Sequence, residues 1–176
     1  MDASIHGIDR YLRDTQSTAV GTLCELLRIP SVSTDPQQRH QVTRCAAAVA
    51  KLLASVGATV EIWRTEGCPA VFGRVDVDPR LPTVLIYGHY DVQPAGELAR
   101  WSSPPFEPRI SDSGCIYARG AADNKGQFFL QVRAVEAWMR TSGRPPVNVK
   151  LLIEGEEEIG SPSLRPLLSD RRDDLA

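Results

Sequence analysis

The chain has 176 residues, with 20 lysines and arginines against 22 aspartates and glutamates, and 42% of it is apolar. That length fits about one domain, and the apolar share excludes both a disordered chain and a disulfide-dependent miniature. A net charge of −2 leaves no basic footprint for nucleic acid or an anionic membrane.

The segment from Met1 to Gly7 carries an early acid and no apolar core of signal-peptide length, so the expected compartment is the cytoplasm. Ile5, Ile8, Tyr11, Leu12, Leu23, Leu26 and Leu27 recur at helical spacing, and Pro30 ends that segment. A second helix is predicted over 37–56. Val42, Cys45, Ala46, Val49, Leu52, Leu53 and Val56 form its apolar stripe, and Gly57 is its C-terminal stop. Strands are predicted over 59–64, 70–75 and 83–87. The last is continuously apolar, as expected of a central strand buried on both faces. The longest apolar run, 81–87, contains Pro82 and falls far short of the roughly 20 residues that span a bilayer.

A polar, proline-bearing stretch over 88–108 leads to a predicted hairpin of 109–110 and 115–118 around Ser111-Asp112-Ser113-Gly114. A helix over 125–140 points Phe128, Phe129, Val132, Val135 and Met139 inward, with Asp123 or Asn124 as its N-cap. A buried strand over 147–153 then runs into Glu154-Gly155-Glu156-Glu157-Glu158, and 169–176 reads as an interrupted helix. The alternation predicts an α/β fold with a mixed, largely parallel sheet and helices on both faces. Cys24, Cys45, Cys68 and Cys115 form no CxxC pair, which argues against a zinc ribbon or a redox pair, so free buried thiols are expected.

In such sheets, ligands bind beyond the carboxyl ends of the strands. Tyr87-Gly88-His89-Tyr90-Asp91 leaves one predicted strand, Glu154 to Glu158 leaves another, and Arg119 to Gly126 starts a helix between them. Each cluster has an ordinary reading: a hydrogen-bonded histidine, a helix cap, a solvated acidic turn. Their conjunction points elsewhere. Adjacent glutamates at a strand exit repel unless a cation or a proton compensates them. Imidazole and carboxylate donors suit zinc, manganese or cobalt, and Asp91 is placed to hold the second ring nitrogen of His89. No G-x-S-x-G elbow supports a serine hydrolase, and a cysteine protease built on Cys115 and His89 has only composition behind it.

Gly88-His89-Tyr90-Asp91-Val92-Gln93-Pro94 resembles the GHxDVxP motif of the co-catalytic metallopeptidases that include aminoacylases, carboxypeptidase G and carnosine-type dipeptidases. Arg119 to Gly126 is similar to their second motif and Glu154 to Ser161 to their third. Trp101-Ser102-Ser103-Pro104-Pro105-Phe106 and Pro146-Val147-Asn148-Val149 resemble the dipeptidase branch. The resemblance implies two divalent metal ions, zinc foremost, with manganese or cobalt compatible. It implies His89 on one metal, Glu158 on the other, Asp123 bridging both, Glu157 as general base and Asp91 orienting His89. It also implies a cis Asp123–Asn124 peptide, and it departs at Asn124, where the family commonly has a second aspartate.

The implied reaction is hydrolysis of dipeptide amide bonds. Deacylation of N-acyl amino acids is the alternative within the family, and a non-catalytic metal-binding or interaction module is the alternative outside it. The family's remaining ligands, an acid soon after the third motif and a late histidine, have no counterpart after Glu158, and His6 and His40 lie outside any motif. Residues 1–176 are therefore expected to be the N-terminal part of the catalytic domain, catalytically incomplete and lacking the lid or dimerisation domain. Strand edges left open would favour self-association into a homo-oligomer.

Overall fold

The computed structural model describes residues 5–176; residues 1–4, part of the segment read for targeting, lie outside them. The N-terminal helical segment divides into α1 (Ile5–Asp14) and α2 (Gln16–Leu27). The break falls at Thr15, whose hydroxyl donates to the Tyr11 carbonyl and accepts from Arg133 over 2.6 Å. Such local side-chain bonds compete with helix continuation. Helix α3 (Arg39–Ser55) follows a single 3₁₀ turn whose first free N–H, that of Gln37, is capped by Asp35 at 2.9 Å.

Strands β1 (Thr59–Trp63), β2 (Ala70–Val75) and β3 (Thr83–His89) come next. The small hairpin β4 (Arg109–Ile110) and β5 (Ile116–Tyr117) forms its own two-stranded sheet. Helix α4 (Lys125–Ser142) ends at Gly143 in the left-handed conformation, then strand β6 (Asn148–Glu154) leads to α5 (Leu164–Asp170) and α6 (Arg172–Leu175).

The main sheet runs β1-β2-β6-β3. It is mixed, but only β3–β6 is parallel; β1–β2 and β2–β6 are antiparallel, so the parallel share is smaller than expected. A short turn joins β1 to β2 and can only reverse the chain, whereas the parallel pair needs the crossover that α4 provides. A second expectation is overturned. The apolar run 83–87 is not a central strand: among the described residues β3 has one partner, β6, and Val84, Leu85 and Tyr87 are 46%, 46% and 45% exposed.

Alternation along the strands divides the core. Val71, Val75, Val149, Leu151 and Ile153 face α3 and α4, meeting Val42, Cys45, Val49, Leu53, Phe128 and Val132. Trp63, Phe72 and Leu152 face the other way and are covered by Leu167 of α5. Each such fully buried side chain contributes about 1.5–3 kcal/mol. Trp63 and Phe72 stack at 4.2 Å between ring centroids, and Arg171, at the α5–α6 break, lies 5.0 Å over the Trp63 ring. Helices thus cover both faces. All four cysteines are free thiols, but only Cys24 and Cys45 are buried; Cys68 is half-buried and Cys115 is exposed on the hairpin turn.

Candidate metal centre

Strands β3 and β6 end at one level, with Gly88 opposite Ile153 and His89 opposite Glu154. The Tyr90 N–H extends the pairing by donating to the Glu154 carbonyl over 2.8 Å. The crevice beyond these two parallel carboxyl ends is where the polar clusters meet.

His89 is 4% exposed. Its Nδ1 lies 3.1 Å from the Asp91 carbonyl oxygen and 3.3 Å from Asp91 Oδ1. That fixes the ring, so Nε2 faces Asp123 Oδ1 at 3.1 Å and Glu157 Oε2 at 3.6 Å. Burial acts to lower the imidazole pKa, yet the hydrogen bonds and charge of Asp91, with the Glu157 charge, prevail and raise it to about 9.

Asp91 is fully buried and does more than hold the ring. Its carboxylate accepts from Ser33 Oγ at 2.6 Å and from the backbone N–H groups of Glu157 and Glu158 at 3.2 and 3.1 Å. One carboxylate therefore orients His89 and seats the acidic turn. Asp123 precedes α4 through a cis peptide to Asn124, and its side chain is 72% exposed. Asn124 occupies the helix N-cap position but makes no capping bond. Its Oδ1 instead accepts from the His89 N–H at 3.1 Å, and its Nδ2 donates to Gln127. Gly88 makes this possible: a Cβ there would meet Asn124 Oδ1 at 2.7 Å.

One donor atom from each of His89, Asp123 and Glu158 lies within 4.8 Å of the other two. With Nδ1 held by Asp91, Nε2 is the ring donor that faces the carboxylates. One imidazole nitrogen with carboxylate oxygens fits a divalent cation such as zinc, manganese or cobalt. His89, Asp91, Asp123, Glu157 and Glu158, drawn from three separate motifs, thus converge at one place.

Residues 85–175, just over half of the chain, match the peptidase family M20/M25/M40. The chain belongs to this family. The M20/M25/M40 chain is 36% identical over 178 residues to the Cys-Gly metallodipeptidase dug1 of Schizosaccharomyces pombe, covering 96% of its own length and 37% of that protein. Among solved structures, the di-peptidase Dug1p of Saccharomyces cerevisiae superposes with a TM-score of 0.88 at 29% identity, over 97% of this chain and 38% of that one. Human carnosine dipeptidase 1 gives 0.86 at 34% identity, over 94% and 37%. The chain spans little more than a third of the length of the curated relatives it matches.

Several groups around the His89 cluster escaped the motif reading. Ser33 supports Asp91 from 58 residues away, with no local signal to reveal it. Gln93 lies inside the first motif, yet its bonds run to Glu158. Glu154 is buried and accepts from Tyr87 Oη at 2.6 Å and Ser161 Oγ at 2.8 Å; burial raises its pKa while those two bonds oppose the rise. Glu156 turns away from the cluster. Its carboxylate accepts from the Cys68 N–H at 2.8 Å and the Ser163 N–H at 3.1 Å, tying the β1–β2 turn to the acidic segment. A cleft of about 650 Å³ opens beside that tie, lined by Thr65, Gly67, Glu156, Ser163 and Leu167. The cluster around His89 lies outside it.

Proposed function

We propose that the chain carries the metal-binding residues of a two-cation dipeptidase centre that hydrolyses peptide amide bonds. The observation behind this reading is the approach of His89, Asp123 and Glu158 donor atoms to within 4.8 Å, with Glu157 Oε2 3.6 Å from His89 Nε2. In this reading His89 holds one cation, Glu158 the other, and Asp123 bridges them. Zinc is favoured by the mixed nitrogen and oxygen donors, and manganese or cobalt is compatible. Bound there, the cations supply Lewis-acid polarisation of the scissile carbonyl and acidify water.

The chain's own groups do the rest. Glu157, with its side chain 44% exposed, accepts the proton of the attacking water and returns it to the leaving amine. Asp91 keeps His89 in one orientation and holds Glu157 and Glu158 in place through their N–H groups. The names of the relatives, which cite Cys-Gly and carnosine, favour dipeptides over N-acyl amino acids as substrates. Three donors shared by two cations fall short of the four ligands that zinc prefers. We therefore assign residues 1–176 to the N-terminal part of the catalytic domain, and weak or absent turnover by this chain alone is the expected result. Free thiols favour a reducing compartment such as the cytoplasm. Among the described residues no helix is long and apolar enough to cross a membrane.

Calorimetric titration of the metal-stripped chain with zinc or cobalt tests the site. Uptake should weaken at least about tenfold in His89→Ala and stay unchanged in Glu157→Gln, which separates a ligand from a base. No uptake by the wild type, or equal uptake by His89→Ala, overturns the assignment. Robust hydrolysis of Cys-Gly or carnosine by the chain alone refutes the incompleteness.

A further inference from the structure

Glu158 is held at four points, and three of them come from one residue. The backbone N–H of Gln93 donates to Glu158 Oε1 at 3.2 Å. The Gln93 side-chain Nε2 donates to Glu158 Oε2 at 2.9 Å and to the Glu158 carbonyl oxygen at 3.1 Å. The fourth point is the Glu158 N–H, which donates to Asp91. A single carboxamide thus spans the main-chain and side-chain oxygens of the same glutamate. That bridge fixes the side-chain torsions of Glu158, because the two acceptors can sit within reach of one NH₂ group in few rotamers.

We infer that Gln93 is a positioning residue for cation binding: its carboxamide holds the Glu158 carboxylate in the ligating pose before the cation arrives. This rests on the reading of Glu158 as a ligand. A free glutamate side chain loses considerable rotamer freedom when it ligates, and Gln93 removes that loss in advance. Its bonds still leave room for a metal. A carboxylate oxygen offers about two lone-pair directions, and each Glu158 oxygen receives one bond from Gln93. Groups that orient metal ligands in this way are typically worth a 10–100-fold change in affinity. Because the backbone N–H persists in any variant at 93 other than proline, the lower end of that range applies.

Gln93 is exposed, so its replacement leaves no cavity. Gln93→Met keeps the length and loses both side-chain bonds; Gln93→Ala removes the chain altogether. Cobalt titration of the metal-stripped protein, followed by its visible absorption bands, should give about tenfold weaker binding in both variants. Thermal melting in chelator should stay within about 2 °C of wild type. In a Glu158→Gln background, adding Gln93→Met should cost no further affinity, since the shared element is already gone.

Binding within twofold of wild type in both variants overturns the inference. So does an affinity loss matched by a fall in cation-free melting, or full additivity with Glu158→Gln. A wild-type chain that takes up no cobalt overturns the metal reading itself, a result distinguishable from all of these.

Discussion

Replacing Gly67 by alanine tests how the acidic segment is anchored to the sheet. A Cβ at 67 would sit 1.5 Å from Glu156 Oε1 and 2.7 Å from its Cδ. Gly67 does not adopt the left-handed conformation, so the penalty comes from collision and not from backbone strain. Glu156 must move, and it then forfeits its bonds from the Cys68 and Ser163 N–H groups. Hydrogen bonds to a charged group contribute about 1.5–3 kcal/mol each. Water reaches the half-open turn and recovers part of this, leaving about 3 kcal/mol, or a fall in Tm of about 6–12 °C for a chain of this size. Glu156→Ala should lose a similar amount, because it removes the same two bonds. Gly67→Ala added to Glu156→Ala should then cost less than about 0.5 kcal/mol, since the colliding carboxylate is absent. Urea and thermal denaturation of the four proteins measure the cycle. A Gly67→Ala melting point within about 2 °C of wild type, or two penalties that simply add, refutes the reasoning.

Other expectations follow from burial and charge. Burial and the neighbouring Glu156 charge push the Cys68 thiol up to about 11. Alkylation of the native chain at pH 8, read by mass spectrometry, should therefore modify exposed Cys115 first and Cys68 at least tenfold more slowly, because little of the Cys68 thiol is thiolate at that pH, with buried Cys24 and Cys45 protected. The fully buried Lys125 Nζ donates to the Leu26 and Ile29 carbonyls at 3.1 and 2.7 Å, and burial lowers its pKa. Lys125→Met removes both of these bonds, leaving the carbonyls only the Ile29 and Ser31 N–H groups, and should destabilise by about 1–3 kcal/mol, with Lys125→Ala worse because a cavity is added; denaturation midpoints equal to wild type would contradict this. His89, raised to about 9, favours the folded state while protonated in the cation-free chain. That contribution is complete below its unfolded value of about 6.5 and disappears as pH rises through about 9. In chelator, wild type should lose more stability between pH 6 and 10 than His89→Gln does, and parallel curves would contradict the assignment.

The chemistry was legible where it is local in the chain. His89 and Asp91 are two residues apart, and Glu157 and Glu158 are adjacent, so residue type and spacing marked them as candidates, and the family resemblance implied their roles. Most element positions followed from periodicity: 70–75 was predicted and β2 is Ala70–Val75. The position of β3 was not legible. Continuous apolarity reports what lies above and below a strand, and says nothing of its hydrogen-bonded flank. The direction of pairing was missed for a related reason, because it depends on which strands the connections place side by side. Ser33 beneath Asp91 and Gln93 against Glu158 are products of tertiary closure over 58 and 65 residues. Asp123 or Asn124 is the cap that the sequence suggests because Asx residues favour helix starts; Asn124 takes that position, but the backbone of His89 claims its side chain instead.

The β3–β6 pairing has a consequence for folding. His89 and Glu154 meet only after a parallel crossover through α4, and parallel pairing across so long a loop is slow and dependent on the rest of the sheet. The unfolded chain therefore holds no assembled cluster, so a cation bound at the cluster would favour the native state. At a free concentration a hundredfold above its dissociation constant, such a ligand adds about 2.7 kcal/mol to stability. Divalent ions would then govern how long the chain survives as a folded molecule, independently of any bond it breaks.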